Sequence, residues 1–129
     1  MSEKITFEII SPDRTILKIE TNEVIIPAFE GEIGILKDHV SLITFLRPGL
    51  IKIKDESEKI FFVEEGTVEF SNNTLIILSS TITSLESIKN QNISKIIEES
   101  KSKLTQDNLS DKAKYIVSHK IDTLLKINQ

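Results

Sequence analysis

Cysteine is absent from the 129-residue chain, which excludes disulfides, thiolate metal sites and cysteine nucleophiles together. Tryptophan is absent as well, tyrosine occurs once, and aromatic residues make up 5% of the sequence. That is too few for the stacking platforms with which proteins hold bases or sugars. No apolar run approaches the roughly 18 residues of a membrane-crossing helix. The start, MSEKITFEII, has neither a basic leader nor a long apolar core. These absences predict an intracellular chain that is soluble by itself. Glycine and proline are scarce too, with four and three copies, so the places where they cluster are informative.

A chain of this length fits one domain, or a small domain with an appendage, and its aliphatic content is adequate for a core. Charge is spread unevenly. Residues 1–88 carry 8 Lys+Arg against 15 Asp+Glu, whereas residues 89–129 carry 8 Lys against 5 Asp+Glu, so net charges of −7 and +3 make up the overall −4. Either the basic tail meets an acidic surface or it is an ordinarily solvated helix pair. The acidic body argues against nucleic acid as a partner.

Up to residue 87 the hydrophobic period is that of strands. Ile5, Phe7 and Ile9 alternate with polar residues until Pro12-Asp13 ends the run, and a second strand is predicted over Thr15 to Glu20. Glu23 to Ile26 re-enters the sheet after the Thr21-Asn22 turn. Further on, Ile51 and Ile53 alternate with Lys52 and Lys54, which places the lysines in water, and Asp55-Glu56-Ser57-Glu58 reads as a solvated hairpin tip. Lys59 to Val63 forms the next strand, and Gly66 allows the reversal after Glu64-Glu65. Val68 and Phe70 face inward, Ser71-Asn72-Asn73 turns the chain, and Leu75 to Leu78 is a buried strand that Thr81-Ile82-Thr83 extends. The period then changes to helical. Ile93, Ile96, Ile97 and Leu104 share one face behind an Asn92 N-cap, and Ala113, Ile116, Val117, Ile121 and Leu124 share another behind Ser110. The expected fold is α+β: an antiparallel β-sandwich over residues 1–87, then an antiparallel two-helix hairpin over residues 88–129. Few aliphatic side chains line this hairpin, so it requires a docking surface to stay folded.

One stretch organises the chain. Ile25 to Gly49 holds three of the four glycines and two of the three prolines, with Ile25, Ile26, Ile33, Ile35, Leu36, Leu42, Ile43 and Leu46 between the bends. Branched aliphatics bounded by turn residues predict buried strand fragments, and Gly31 and Gly34 are expected where the backbone needs positive φ or close approach. The order Pro27, Glu30-Gly31-Glu32-Ile33-Gly34-Ile35-Leu36, His39, Leu42, Ile43-Thr44, Leu46, Pro48-Gly49 resembles the epsilon subunit of F-type ATP synthases, the mitochondrial delta subunit. Gly66 and Ile76-Ile77-Leu78 follow in the family's order. Ala28 stands where the family often has glycine, and Ser41 where it often has proline.

The resemblance implies a non-catalytic subunit of the central stalk, which couples proton transport to ATP synthesis and restrains hydrolysis through its helices. It implies as partners the gamma shaft subunit, the membrane ring of c subunits and the alpha and beta subunits of the catalytic head. The membrane is then met only through the complex, on the cytoplasmic face of the bacterial inner membrane. Glu30, Gly31, Glu32 and His39 are the expected contacts to shaft and ring. Lys112, Lys114, Lys120 and Lys126 are the expected contacts to carboxylates of the head. Some relatives bind ATP at the start of the first helix through an Asp and an Arg; Ser94 and Ile97 replace them here and Glu98 would repel phosphate, so no cofactor is expected.

Two other classes stay open on the residues alone, a small β-fold enzyme and a free-standing adaptor. His39 with Asp38 and Ser41 has the composition of a triad, but neighbours along an extended backbone point to alternate faces. The Asp55 to Glu58 cluster lacks the glycine and spacing of a calcium loop, and no phosphate cradle is present.

Overall fold

In the computed structural model, residues 3–55 and 58–128 are described; residues 56 and 57 of the expected hairpin tip lie outside them. The strands are β1 (Ile5–Ser11), β2 (Arg14–Thr21), β3 (Glu23–Ala28), β4 (Gly31–Leu36), β5 (Leu42–Leu46), β6 (Gly49–Lys54), β7 (Lys59–Val63), β8 (Gly66–Ser71), β9 (Thr74–Leu78) and β10 (Thr83–Ser84). They form one sheet in the order β10-β7-β6-β3-β5-β8-β9-β1-β2, with β4 added to β3. The sheet folds over a core of Ile5, Phe7, Ile9, Val24, Ile26, Ile35, Leu46, Ile51, Ile53, Val63, Val68, Phe70, Leu75 and Ile77. The predicted alternation places most of these correctly. Against expectation Lys52 is half-buried, while Lys54 is exposed. One pair departs from the antiparallel rule: β1 runs parallel to β9, from Thr6 opposite Thr74 to Ile10 opposite Leu78.

Local chemistry accounts for the turns. Asn72 and Asn73 have φ of 50° and 58° between the paired Ser71 and Thr74, the positive-φ pair that a two-residue hairpin with right-handed strand twist requires. The predicted extension of β9 through Thr81-Ile82-Thr83 is not what forms. Ser79 donates its hydroxyl to the Glu65 carbonyl at 2.6 Å, and the Thr81 hydroxyl accepts from the Glu64 and Glu65 amides at 3.2 and 3.1 Å. Hydroxyls that satisfy a neighbouring turn compete with a strand ladder, and the chain instead reaches β7 as the separate strand β10.

Three helices follow: α1 (Leu85–Lys89), α2 (Ile93–Leu104) and α3 (Asp111–Ile127). The short α1, capped by Ser84, has no counterpart in the predicted pattern, because five residues are too few to display a helical period. Asn92 and Ser110 cap α2 and α3 as expected, their side chains accepting from the amides of Lys95 and Ala113. The helices lie over the outer face of the β6–β7 pair. There Phe62 and Leu50 meet Ile88, Ile93, Ile97, Ile121, Leu124 and Ile127 in a second apolar cluster, which supplies the docking surface that the thin hairpin needs.

The close approaches fall elsewhere than at Gly34. A Cβ at Gly34 would meet only the flexible carboxylate end of Glu23, whereas one at Gly49 would lie 2.5 Å from Pro27 Cβ and one at Gly66 2.7 Å from the Leu78 carbonyl. Gly66 therefore serves contact between strands rather than the reversal itself. Gly31 has φ of 149°, as its turn position suggested. Gly49→Ala and Gly66→Ala should each destabilise the chain by about 1–3 kcal/mol through overpacking, and Gly34→Ala should stay within about 1 kcal/mol of the parent. Urea denaturation of the three variants checks the order; an equally costly Gly34→Ala would refute it.

Candidate functional site

The expected shaft and ring contacts fall at opposite ends of the β3–β4 hairpin: Glu30, Gly31 and Glu32 at its turn, His39 beyond its open end. Phe29 and Glu30 form the turn between the paired Ala28 and Gly31, and the carboxylates of Glu30 and Glu32 are exposed. His39 sits after β4, half-buried, with its ring edge-on to Phe70 at 5.9 Å and Nδ1 donating to the Val40 carbonyl at 2.7 Å. Asp38, at φ 67°, accepts from Asn73 Nδ2 at 3.2 Å rather than orienting His39. The backbone here is a turn rather than the extended segment assumed from sequence, and Asp38, His39 and Ser41 do not converge.

The structure also exposes an apolar face that the alternating sequence pattern does not show. Ile43, Phe45 and Val40 are 81%, 65% and 75% exposed, and Leu36 and Leu78 are half exposed, although Leu36 and Ile43 read as buried strand residues in sequence. Along β5, Leu42, Thr44 and Leu46 point inward, so Ile43 and Phe45 point outward, and among the described residues no element covers them. Apolar residues at both parities of a five-residue strand were the available signal. This face runs into a groove of about 880 Å³ between β5, β8, β9 and the first turns of α3, lined by Phe29, Phe45, Leu78, Tyr115 and Ile116 among others.

The four lysines do not act as one set in this docked arrangement. Lys112 lies 6.0 Å from the Phe29 ring centroid, Lys120 pairs with Glu64 of the sandwich at 2.7 Å, and Lys114 and Lys126 are exposed. Between them α3 is fastened by residues that sequence reasoning did not single out. The Tyr115 hydroxyl donates to the Phe29 carbonyl and accepts from Arg47 Nη1 at 2.9 Å. Its ring lies 4.8 Å from Phe29 and 4.4 Å from His119, edge-on. One turn further, Thr123 is buried, its hydroxyl bonded to the His119 carbonyl at 2.8 Å and 3.5 Å from the Pro48 carbonyl. Burial, and then the Arg47 guanidinium, hold the His119 imidazole below its ordinary value of 6.5. A single tyrosine at helical spacing from a histidine carries no sequence signal for this.

The family described as ATP synthase, Delta/Epsilon chain, beta-sandwich domain matches residues 4–84. The ATP synthase epsilon chain of Pelagibacter ubique is 44% identical over 130 residues, covering 99% of this chain and all of that one. That of Jannaschia sp. is 32% identical over 113 residues, covering 84% and 86%. Among solved structures, a chain of the Euglena gracilis mitochondrial ATP synthase (OSCP/F1/c-ring) superposes with a TM-score of 0.82 at 19% identity, over 100% of this chain and 84% of its own. A chain of the Tetrahymena thermophila central stalk/c-ring gives 0.70 at 17% identity, over 99% and 98%. The last two likenesses are of fold.

Tyr115→Phe removes the hydroxyl that joins Arg47 to the Phe29 carbonyl while keeping the ring. It should weaken the docking of α3 by about 1–3 kcal/mol, the cost of part-buried polar groups losing their partner. Amide hydrogen exchange should then quicken across α3 and leave the sandwich strands unchanged. Equal protection of α3 in both chains would show that the hydroxyl contributes nothing to docking.

Proposed function

We propose the function from one premise: the chain belongs to the ATP synthase delta/epsilon family. The role that fits it is a non-catalytic rotor subunit of the central stalk, on the cytoplasmic face of the inner membrane, coupling proton transport to ATP synthesis. The observation that carries this is a full-length match, 44% identical, to an epsilon chain. The sandwich, residues 1–87, clamps the gamma shaft to the ring of c subunits, and residues 88–129 restrain hydrolysis by the alpha and beta subunits. The site chemistry supports a mechanical role: Glu30 and Glu32 are exposed, an apolar face lies beside His39, and Asp38 and His39 do not form a proton relay.

In the restraining state the hairpin leaves the sandwich, and Lys112, Lys114, Lys120 and Lys126 turn toward carboxylates of the head. Lys120 then exchanges Glu64 for a new partner. Each exposed pair contributes only about 0–1 kcal/mol, but several together shift a two-state balance about tenfold.

Co-purification of the native chain with shaft and head subunits is the direct test, and turnover by the isolated chain would favour the enzyme reading instead. ATP hydrolysis by complexes carrying the full chain, residues 1–87 alone, or the chain with all four lysines changed to glutamate should differ across ionic strength, the altered complexes hydrolysing faster. Three superimposable curves would rule out a regulatory tail. Ile93 and Ile97 are buried in the hairpin cluster, where the ATP-binding relatives implied by the resemblance place an arginine at the second position. Calorimetry should accordingly detect no saturable ATP binding by the isolated chain at physiological concentration.

A further inference from the structure

We propose that the contact of α3 with the sandwich corner is an acid-sensitive clasp: the hairpin stays docked while the His119 imidazole is neutral and is released as that ring takes up a proton. The clasp is built around Tyr115. Its ring lies 4.8 Å from the tilted Phe29 ring and 4.4 Å, edge-on, from the His119 ring, its hydroxyl bonds to the Phe29 carbonyl, and the Arg47 guanidinium is hydrogen-bonded to that hydroxyl at 2.9 Å. A cation is therefore built into the docked site from the sandwich side. Protonating His119 adds a second positive charge to the same half-buried cluster, which costs both Coulomb repulsion and desolvation.

The other charged groups around the ring do not cancel this. Asp122 on α3 favours the imidazolium, but burial, Arg47 and, on the same helix, Lys126 all oppose it and together outweigh Asp122. Glu64, the sandwich carboxylate nearby on the docking face, is occupied by Lys120. With the hairpin undocked, His119 loses Arg47 and gains water, so its affinity for protons returns toward the ordinary value. A group whose docked value is depressed stabilises docking fully above its undocked value, near 6.5, and that stabilisation is lost as pH falls toward the docked value. Acidification thus shifts the hairpin outward. Its consequence for the complex, restrained hydrolysis when the surrounding solution turns acid, rests on the role proposed above; the clasp itself does not.

The chain has no cysteine, so Glu69→Cys and Ser118→Cys, both at exposed positions, give unique sites for a pair of spin labels on β8 and α3. Distance distributions of the isolated full-length chain should show one narrow docked population at pH 7.5. At pH 5.5 the undocked fraction should rise at least threefold. In His119→Gln the fraction should stay at its pH 7.5 level throughout, with helix content by circular dichroism unchanged. A parent chain that does not respond, or a His119→Gln chain that responds equally, overturns the clasp whatever the hydrolysis curves of the complex show. The histidine ring signals give a second reading in the intact protein: the His119 midpoint should lie below its value in Tyr115→Phe, and equal midpoints would overturn the proposal.

Discussion

The backbone hydrogen bonds at the end of β3 fix how the two layers of the sandwich meet, and through them where the helices can dock. Glu23 to Ile25 pair with β6 on one side and β4 on the other, but by Ala28 the strand has changed partner to Leu46 of β5. Pro27 sits at the change. It has no amide to leave unsatisfied as β3 leaves β6, its carbonyl accepts from the Arg47 amide at 2.9 Å, and its ring fills the space that a side chain at Gly49 would occupy. The Phe29 amide then bonds to the Phe45 carbonyl at 2.8 Å.

That corner also seats α3. Phe29, Arg47 and Pro48 are the sandwich residues that Tyr115 and Thr123 address, and all three lie within a few residues of Pro27 or Gly49. An error in the β3 corner would be felt in the hairpin, because docked helices of this length and modest apolar content depend on tertiary contact for most of their stability. The apolar share of that contact comes from Leu50 and Phe62 on the outer face of β6–β7; the polar share comes from the corner and from the Lys120–Glu64 ion pair. Apolar burial holds the helices without regard to pH, while the corner, with a guanidinium, a phenol and an imidazole in contact, responds to charge.

The outer face of β5 and the end of β9 stay largely bare. Ile43, Phe45 and Leu78 sit where a strand residue must point away from the core, and the hairpin packs on the β6–β7 side, its first α3 turns only edging the groove beside Phe45 and Leu78. An uncovered apolar face beside an exposed acidic turn is what a subunit held in an assembly presents, which agrees with the membership of the delta/epsilon family.

By itself the sequence determined the sandwich-then-hairpin order, both long-helix N-caps at Asn92 and Ser110, the Asn72-Asn73 turn and the inward faces of β1, β6 and β8. Each is a local matter: a period, a cap or a φ preference is complete within a few residues. Family membership was legible for a similar reason, since the spacing of Ile25 to Gly49 is a linear record of turns. Only the tertiary structure decided which aliphatics stay exposed at Leu36 and Ile43, that Thr83-Ser84 leaves β9 for β7, that Gly49 rather than Gly34 admits no side chain, and that Lys120 meets Glu64. It also decided the clasp, which joins Phe29 and Arg47 to Tyr115 across 86 and 68 residues of chain. Such contacts depend on how two layers and a helix are set against one another, and no window of sequence contains both sides.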